Sequence, residues 1–86
     1  MSQQIANIVT EEWKEVLGIS DAVPGGDFFA LGGDSLMAAT LLMRIEHRLG
    51  VVLHIDTLFV DGTLEGVIAA CASAGARDAT SSVQRG

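Results

Sequence analysis

The run GGDSLMAATLLMRIEHRLG, from Gly32 to Gly50, decides the fold. Within it Ala38, Leu41, Leu42, Ile45 and Leu49 recur at the i, i+3, i+4, i+7, i+11 spacing of one helical stripe, which predicts an amphipathic helix with that stripe turned to a core. Asp34 and Ser35 precede the stripe, and either side chain can accept a hydrogen bond from the free amides of a first turn. Gly50 stands where the helix should stop. Leu36, Met37 and Met43 fall off the stripe and are read as an exposed docking surface, with a broadened core as the alternative. Gly32 and Gly33 allow a turn without Cβ clashes and the close approach of another molecule. The serine hydroxyl is thus delivered at a helix N-terminus, where free amides and a partial positive charge favour an anionic group.

Outward from this run the chain reads as more helix. Ile5, Ile8, Val9, Trp13, Val16 and Leu17 form a stripe that predicts a helix over Gln3 to Leu17, ended by Gly18, with Glu11, Glu12 and Glu15 on its other faces. Between the two helices Pro24-Gly25-Gly26 and Gly32-Gly33 punctuate a long ordered loop, which Phe28, Phe29 and Leu31 can pin to the core. Val51-Val52-Leu53 has no partner strand in the chain and is read as an extended connection. Asp56 is expected to cap a short helix through Val60, and Asp61-Gly62 to break it. Thr63 is expected to cap a last helix with the stripe Leu64, Val67, Ile68 and Cys71, weakened at Gly66. The fold class is therefore all-α: a four-helix bundle of three longer helices and one short one. One domain is expected over residues 1–74. Residues 75–86, poor in apolar anchors, are expected as a flexible tail.

Composition narrows the function. An 86-residue chain with 49% hydrophobic residues makes one small domain, with no room for a catalytic cleft between domains. The single cysteine, Cys71, cannot form an internal disulfide and is read as a buried small hydrophobe; the cytoplasm is the expected compartment. No stretch approaches the roughly 20 apolar residues that span a bilayer, so no membrane is expected. The net charge of −6 repels phosphate backbones, which argues against nucleic acid, and it favours positively charged partner surfaces or simple solubility. Met1 and the polar tail fit a free-standing protein, and an excised domain with a new start would read the same.

The segment Phe28-Phe29-Ala30-Leu31-Gly32-Gly33-Asp34-Ser35-Leu36 resembles the signature of the carrier (thiolation) domains of nonribosomal peptide synthetases, in the acyl carrier protein superfamily. Leu41, Arg44, Ile45 and Leu49-Gly50-Val51 resemble that family's second helix, and Leu58-Phe59 with Thr63-Leu64 resemble the starts of its third and fourth. Residues 5 to 72 are covered. The resemblance implies a covalent 4′-phosphopantetheine on Ser35, in a setting formed by Gly33, Asp34 and Leu36. It implies aminoacyl or peptidyl thioesters carried on the arm's thiol in nonribosomal peptide biosynthesis. The implied partners are a phosphopantetheinyl transferase, an adenylation enzyme or domain, and condensation or tailoring enzymes, acting on a monomer. The expected partner surface is Leu36, Met37, Thr40, Met43, Arg44, Leu58 and Phe59. Arg44, Glu46, His47 and Arg48 make the second helix about neutral, whereas fatty-acid carriers resemble one another in acidic second helices. A polyketide or fatty-acyl carrier is the alternative with the same fold and cofactor.

Gly33-Asp34-Ser35-Leu36 also matches the short motif of a class of serine esterases. Such a nucleophile needs a base and an orienting group within hydrogen-bond reach, and that esterase family resembles an α/β domain with a downstream Asp-x-x-His, which this chain lacks. His47 and His54 are the remaining candidate bases, and His47 lies about 18 Å along the same helix at 1.5 Å per residue. Both are read as solvated. The chain is expected to be no enzyme and to hold no metal.

Overall fold

The computed structural model describes the backbone of residues 2–85 and the side chains of residues 3–74. Among the described residues four helices follow one another: α1 (Ser2–Leu17), α2 (Ser35–Leu49), α3 (Asp56–Val60) and α4 (Leu64–Arg85). Bridge pairing among them is limited to one isolated contact, Asp27 with Thr63. The flexible tail expected over 75–86 lies outside the residues with described side chains.

α1 packs against both α2 and α4, and α3 against α4. The stripes meet in one core: Val9 and Trp13 from α1, Ala38, Leu41, Leu42 and Ile45 from α2, Leu58 from α3, and Leu64, Val67 and Cys71 from α4. Phe28 of the loop is fully buried among them, and Ile5, Val16, Leu17, Leu49 and Ile68 pack around the edge. Each fully buried aliphatic side chain contributes about 1.5–3 kcal/mol on leaving water. Burial raises the Cys71 thiol to about 11.

The ends of the helices follow local chemistry. Gly18 and Gly50 take left-handed φ values of 70° and 72°, where a side chain would be strained, and the Gly50 amide returns to the Glu46 carbonyl at 2.8 Å. Asp56 proves to be the first residue of α3 and not its cap; Ile55 holds the capping position, with no side-chain bond, so this short helix depends on packing. Thr63 does cap α4, its hydroxyl accepting from the Gly66 amide at 3.1 Å and donating to Asp61 Oδ1 at 2.7 Å. The Thr63 amide also donates to Asp61 Oδ1, at 3.2 Å, and the hydroxyl and amide together hold the Asp61 carboxyl below its usual range. Gly66 has a steric reason: a Cβ there would lie 2.5 Å from the Asp61 carboxylate.

The acidic residues of α1 do more than face solvent. Glu12 is 6% exposed, and its carboxylate accepts from Arg44 Nε and, at 3.0 Å, from Arg48 Nη1. Arg44 also reaches Glu15, and Arg48 reaches Glu11 at 2.9 Å, so two arginines of α2 interleave with three glutamates of α1. Burial pushes the Glu12 carboxyl up, and the hydrogen bonds and charges of Arg44 and Arg48 together outweigh it, leaving it below its usual 4.5. A depressed carboxyl contributes stability above its unfolded pKa and loses it as pH falls through the folded value. Glu12→Gln is expected to cost about 1.5–3 kcal/mol near neutrality. It should also flatten the loss of thermal stability on acidification below that usual value, as melts across an acid series would read. Equal acid slopes in the two proteins would remove Glu12 from that role.

Candidate functional site

Asp34, Ser35 and Leu36 are mounted on the turn that opens α2. Asp34 is the N-cap in extended conformation, and its Oδ1 accepts from the Met37 amide at 2.8 Å. The sequence left the capping duty open between Asp34 and Ser35, and the structure gives it to Asp34. Ser35 is the first residue of the helix, it is exposed, and its hydroxyl has no partner among the described residues. The amides of Ser35 and Leu36 belong to the first turn, which has no carbonyls of its own to bond, so a positive helix end faces the hydroxyl.

The loop leading to this turn is tied within itself and to the start of α4. Asp27 Oδ2 accepts from the Phe29 and Ala30 amides at 3.0 Å each, and the Leu31 amide donates to the Asp27 carbonyl at 3.0 Å. The Glu65 amide donates to Pro24 O at 3.0 Å, joining the loop to the start of α4. Sequence reading passed over Asp27; its signal was an Asp placed to accept from the amides two and three residues on. Gly32 takes φ 104°, open to glycine but strained for other residues, whereas Gly33 is needed for closeness to Phe28.

The expected partner surface divides. Leu36 is 76% exposed, Met43 62% and Phe59 58%, with the Phe59 ring stacked on Phe29 at 5.6 Å. Met37 is half-buried against the core: it stands one helical turn before the fully buried Leu41, so it broadens the core face of α2 and does not stand clear of it. Leu58 is 1% exposed and offers no surface: in so short a helix one side must anchor to α4, and Leu58 takes that place. Arg44 spends its guanidinium on Glu12 and Glu15, so its charge is matched within the domain. Thr40 is half-buried, its hydroxyl donating to the Leu36 carbonyl at 3.0 Å. His47 and His54 are exposed, and His47 lies toward the opposite end of α2 from Ser35.

Residues 7–71 match the family described as Phosphopantetheine attachment site. The chain belongs to that family. It is a carrier domain with phosphopantetheine as its covalent cofactor, and its sequence relatives are segments of nonribosomal peptide synthetases. Surfactin synthase subunit 3 of Bacillus subtilis is 44% identical over 69 residues, 80% of this chain and 5% of that protein. Phosphinothricin tripeptide synthetase of Streptomyces viridochromogenes is 42% identical over 55 residues, 64% of this chain and again 5% of that protein. The carrier domain thus spans about a twentieth of such relatives. Among solved structures, BlmI, a type-II acyl-carrier protein from Streptomyces verticillus involved in bleomycin biosynthesis, superposes with TM-score 0.77 at 28% identity, covering 84% of this chain and 87% of that one. A chain in the complex of the phosphopantetheine transferase Sfp with coenzyme A and a peptidyl carrier protein superposes with TM-score 0.76 at 26% identity, over 80% of this chain and 90% of that one.

The exposed, unbonded Ser35 hydroxyl suits such a group: nothing must be broken to esterify it, and the positive helix end lies beside the place a phosphodiester would take. Among the described residues no helix is long and apolar enough to cross a membrane.

Proposed function

We propose that this chain is a peptidyl carrier whose Ser35 Oγ bears the phosphopantetheine, and that it presents aminoacyl and peptidyl thioesters to the enzymes of nonribosomal peptide synthesis in the cytoplasm. The observation that carries this reading is the Ser35 hydroxyl itself, exposed and free of capping duty at the first turn of α2, within the span of the family match. A transferase attaches the arm. An adenylating enzyme loads it, and condensation or tailoring enzymes unload it. The chain supplies the mount and no turnover of its own. Charging after modification tests the peptidyl type: an adenylating enzyme with an amino acid and ATP should load the arm, whereas loading only by an acyltransferase would move the chain to the polyketide or fatty-acyl carriers.

The thiol of the arm is then the reactive sulfur of the protein. Cys71 is fully buried and its pKa is raised to about 11 by that burial, so it is almost wholly protonated near neutrality. Folded apo-protein is expected to take up no iodoacetamide at neutral pH, and the modified protein one equivalent on the arm. Alkylation of Cys71 in native apo-protein, read by peptide mapping, would contradict this.

Leu36 and Met43 form the part of the expected docking surface that is most open, and Phe59 extends it on α3. Leu36→Ala and Met43→Ala are expected to shift stability by no more than about 0.5 kcal/mol, as exposed substitutions do. Both should slow modification or loading, because the contacts they remove exist only in complexes. Unchanged kinetics in both variants would place the docking face elsewhere.

A further inference from the structure

We propose that Phe28 is the positioning residue for Ser35: wedged between the α3–α4 junction and Gly33, it fixes where the hydroxyl stands when a transferase arrives. This inference rests on the reading that Ser35 is the modified residue. The Phe28 amide donates to Gly62 O at 2.7 Å, and the Phe28 carbonyl accepts from the Gly33 amide at 3.0 Å. Its ring is fully buried, edge-on to Trp13 of α1 at 5.3 Å and to Phe29 at 5.5 Å. The same ring lies so close under Gly33 that a Cβ there would meet Cε2 at 2.3 Å and Cδ2 at 2.5 Å. One residue therefore joins α1, the α3–α4 junction and the chain entering α2.

Apart from Phe28, the half-buried Met37 is the one side chain of the first turn of α2 that packs against the core. Asp34 bonds to Met37 of the same helix, so the cap moves with the helix and ties it to nothing outside. Fully buried side chains of α2 begin only at Ala38, with Ser35 and Leu36 exposed and Met37 half-buried. Gly32, at φ 104°, is a permissive joint just upstream. Ring and carbonyl of Phe28 fix Gly33 between that joint and the cap.

Position matters because of the step Ser35 would undergo. Its Oγ attacks the β-phosphorus of coenzyme A and a new P–O bond forms. The pyrophosphate P–O bond breaks, adenosine 3′,5′-bisphosphate leaves with the electron pair, and the serine proton passes to a base on the transferase. Misplacing the attacking oxygen by about 1 Å can cost on the order of 100-fold in such a step, while docking contacts made elsewhere on the helix are kept.

The experiment is modification of Phe28→Leu by a phosphopantetheinyl transferase with coenzyme A, followed by intact mass, at a temperature where circular dichroism shows full helix content. Expected is a kcat lower by about tenfold or more with KM within about twofold of the unsubstituted protein. Phe28→Met, of about the same volume as the leucine but longer and more adaptable, should show the same split and serves where the leucine variant does not fold. Val9→Ala, a fully buried change on α1, controls for general loosening and should keep its kcat per folded molecule. A folded Phe28 variant with unchanged kcat, or a fall that Val9→Ala shares, would overturn the proposal. Ser35→Ala in the same assay tests the reading beneath it: incorporation there refutes the site, whereas blocked incorporation with normal Phe28 variants refutes only the positioning role.

Discussion

Ser35→Ala is expected to abolish phosphopantetheine incorporation completely while leaving the domain folded. The change removes the single atom that would form the ester, so no residual rate is expected from imperfect geometry. Stability should hardly move. Loss of an N-cap side chain costs about 0.5–2 kcal/mol, but the cap of α2 is Asp34, whose carboxylate bonds the Met37 amide at 2.8 Å, and the Ser35 hydroxyl bonds no described residue. Intact mass after incubation with coenzyme A and a transferase, beside a thermal melt, reads both halves. Mass gain in the variant would move the attachment elsewhere. The same variant tests the esterase reading. Nucleophilic catalysis needs a base in reach of the serine, and both histidines are exposed, His47 about 18 Å along the helix. Apo-protein should hydrolyse a nitrophenyl ester no faster than Ser35→Ala; a saturable, Ser35-dependent rate in a preparation free of other esterases would revive the hydrolase.

The largest expected loss of stability from a single added methyl is Gly33→Ala. The new carbon would fall within 2.3–2.9 Å of three atoms of the Phe28 ring. That ring is a rigid plate with no exposed edge to swing toward, bounded by Trp13 and Phe29, so backbone or core must give. Overpacking of this kind costs about 1–3 kcal/mol, occasionally more, and in a domain of this size each kcal/mol lowers Tm by about 4–8 °C. Combining Gly33→Ala with Phe28→Leu should cost less than the sum of the two changes, because the smaller side chain vacates the space the methyl needs. Additive melts would show that the two residues do not compete for it.

Periodic and local features could be read along the chain. Ala38, Leu41, Leu42 and Ile45 had to share one face of a helix, and burying that face against Val9 and Trp13 of α1 and Val67 and Cys71 of α4 leaves an all-helical bundle as the solution. The same locality predicted an exposed hydroxyl at Ser35, since a glycine pair, a capping residue and a serine in succession present one at a helix start, while its reading as an attachment site came from the resemblance of the Phe28–Leu36 segment to carrier signatures. Thr63 was legible as a cap for the same reason. The tertiary structure alone decided what depends on two distant segments meeting. Glu12 read as one more solvent-facing acid of α1 until Arg44 and Arg48 came to lie across it. The basic pair at i, i+4 facing an acidic stripe was a visible signal, yet nothing along the chain says which faces are opposed. Leu58 and Phe59 are adjacent and both apolar, but a short helix packed on α4 buries the first and exposes the second. Gly33 looked like a conformational glycine. It is required because Phe28, held by Gly62 at the α3–α4 junction, brings its ring to within contact of that α-carbon. The two residues are near in sequence, but the ring is placed by Gly62 and Trp13, which are not, and a contact set by such distant partners has no periodicity for a sequence to display.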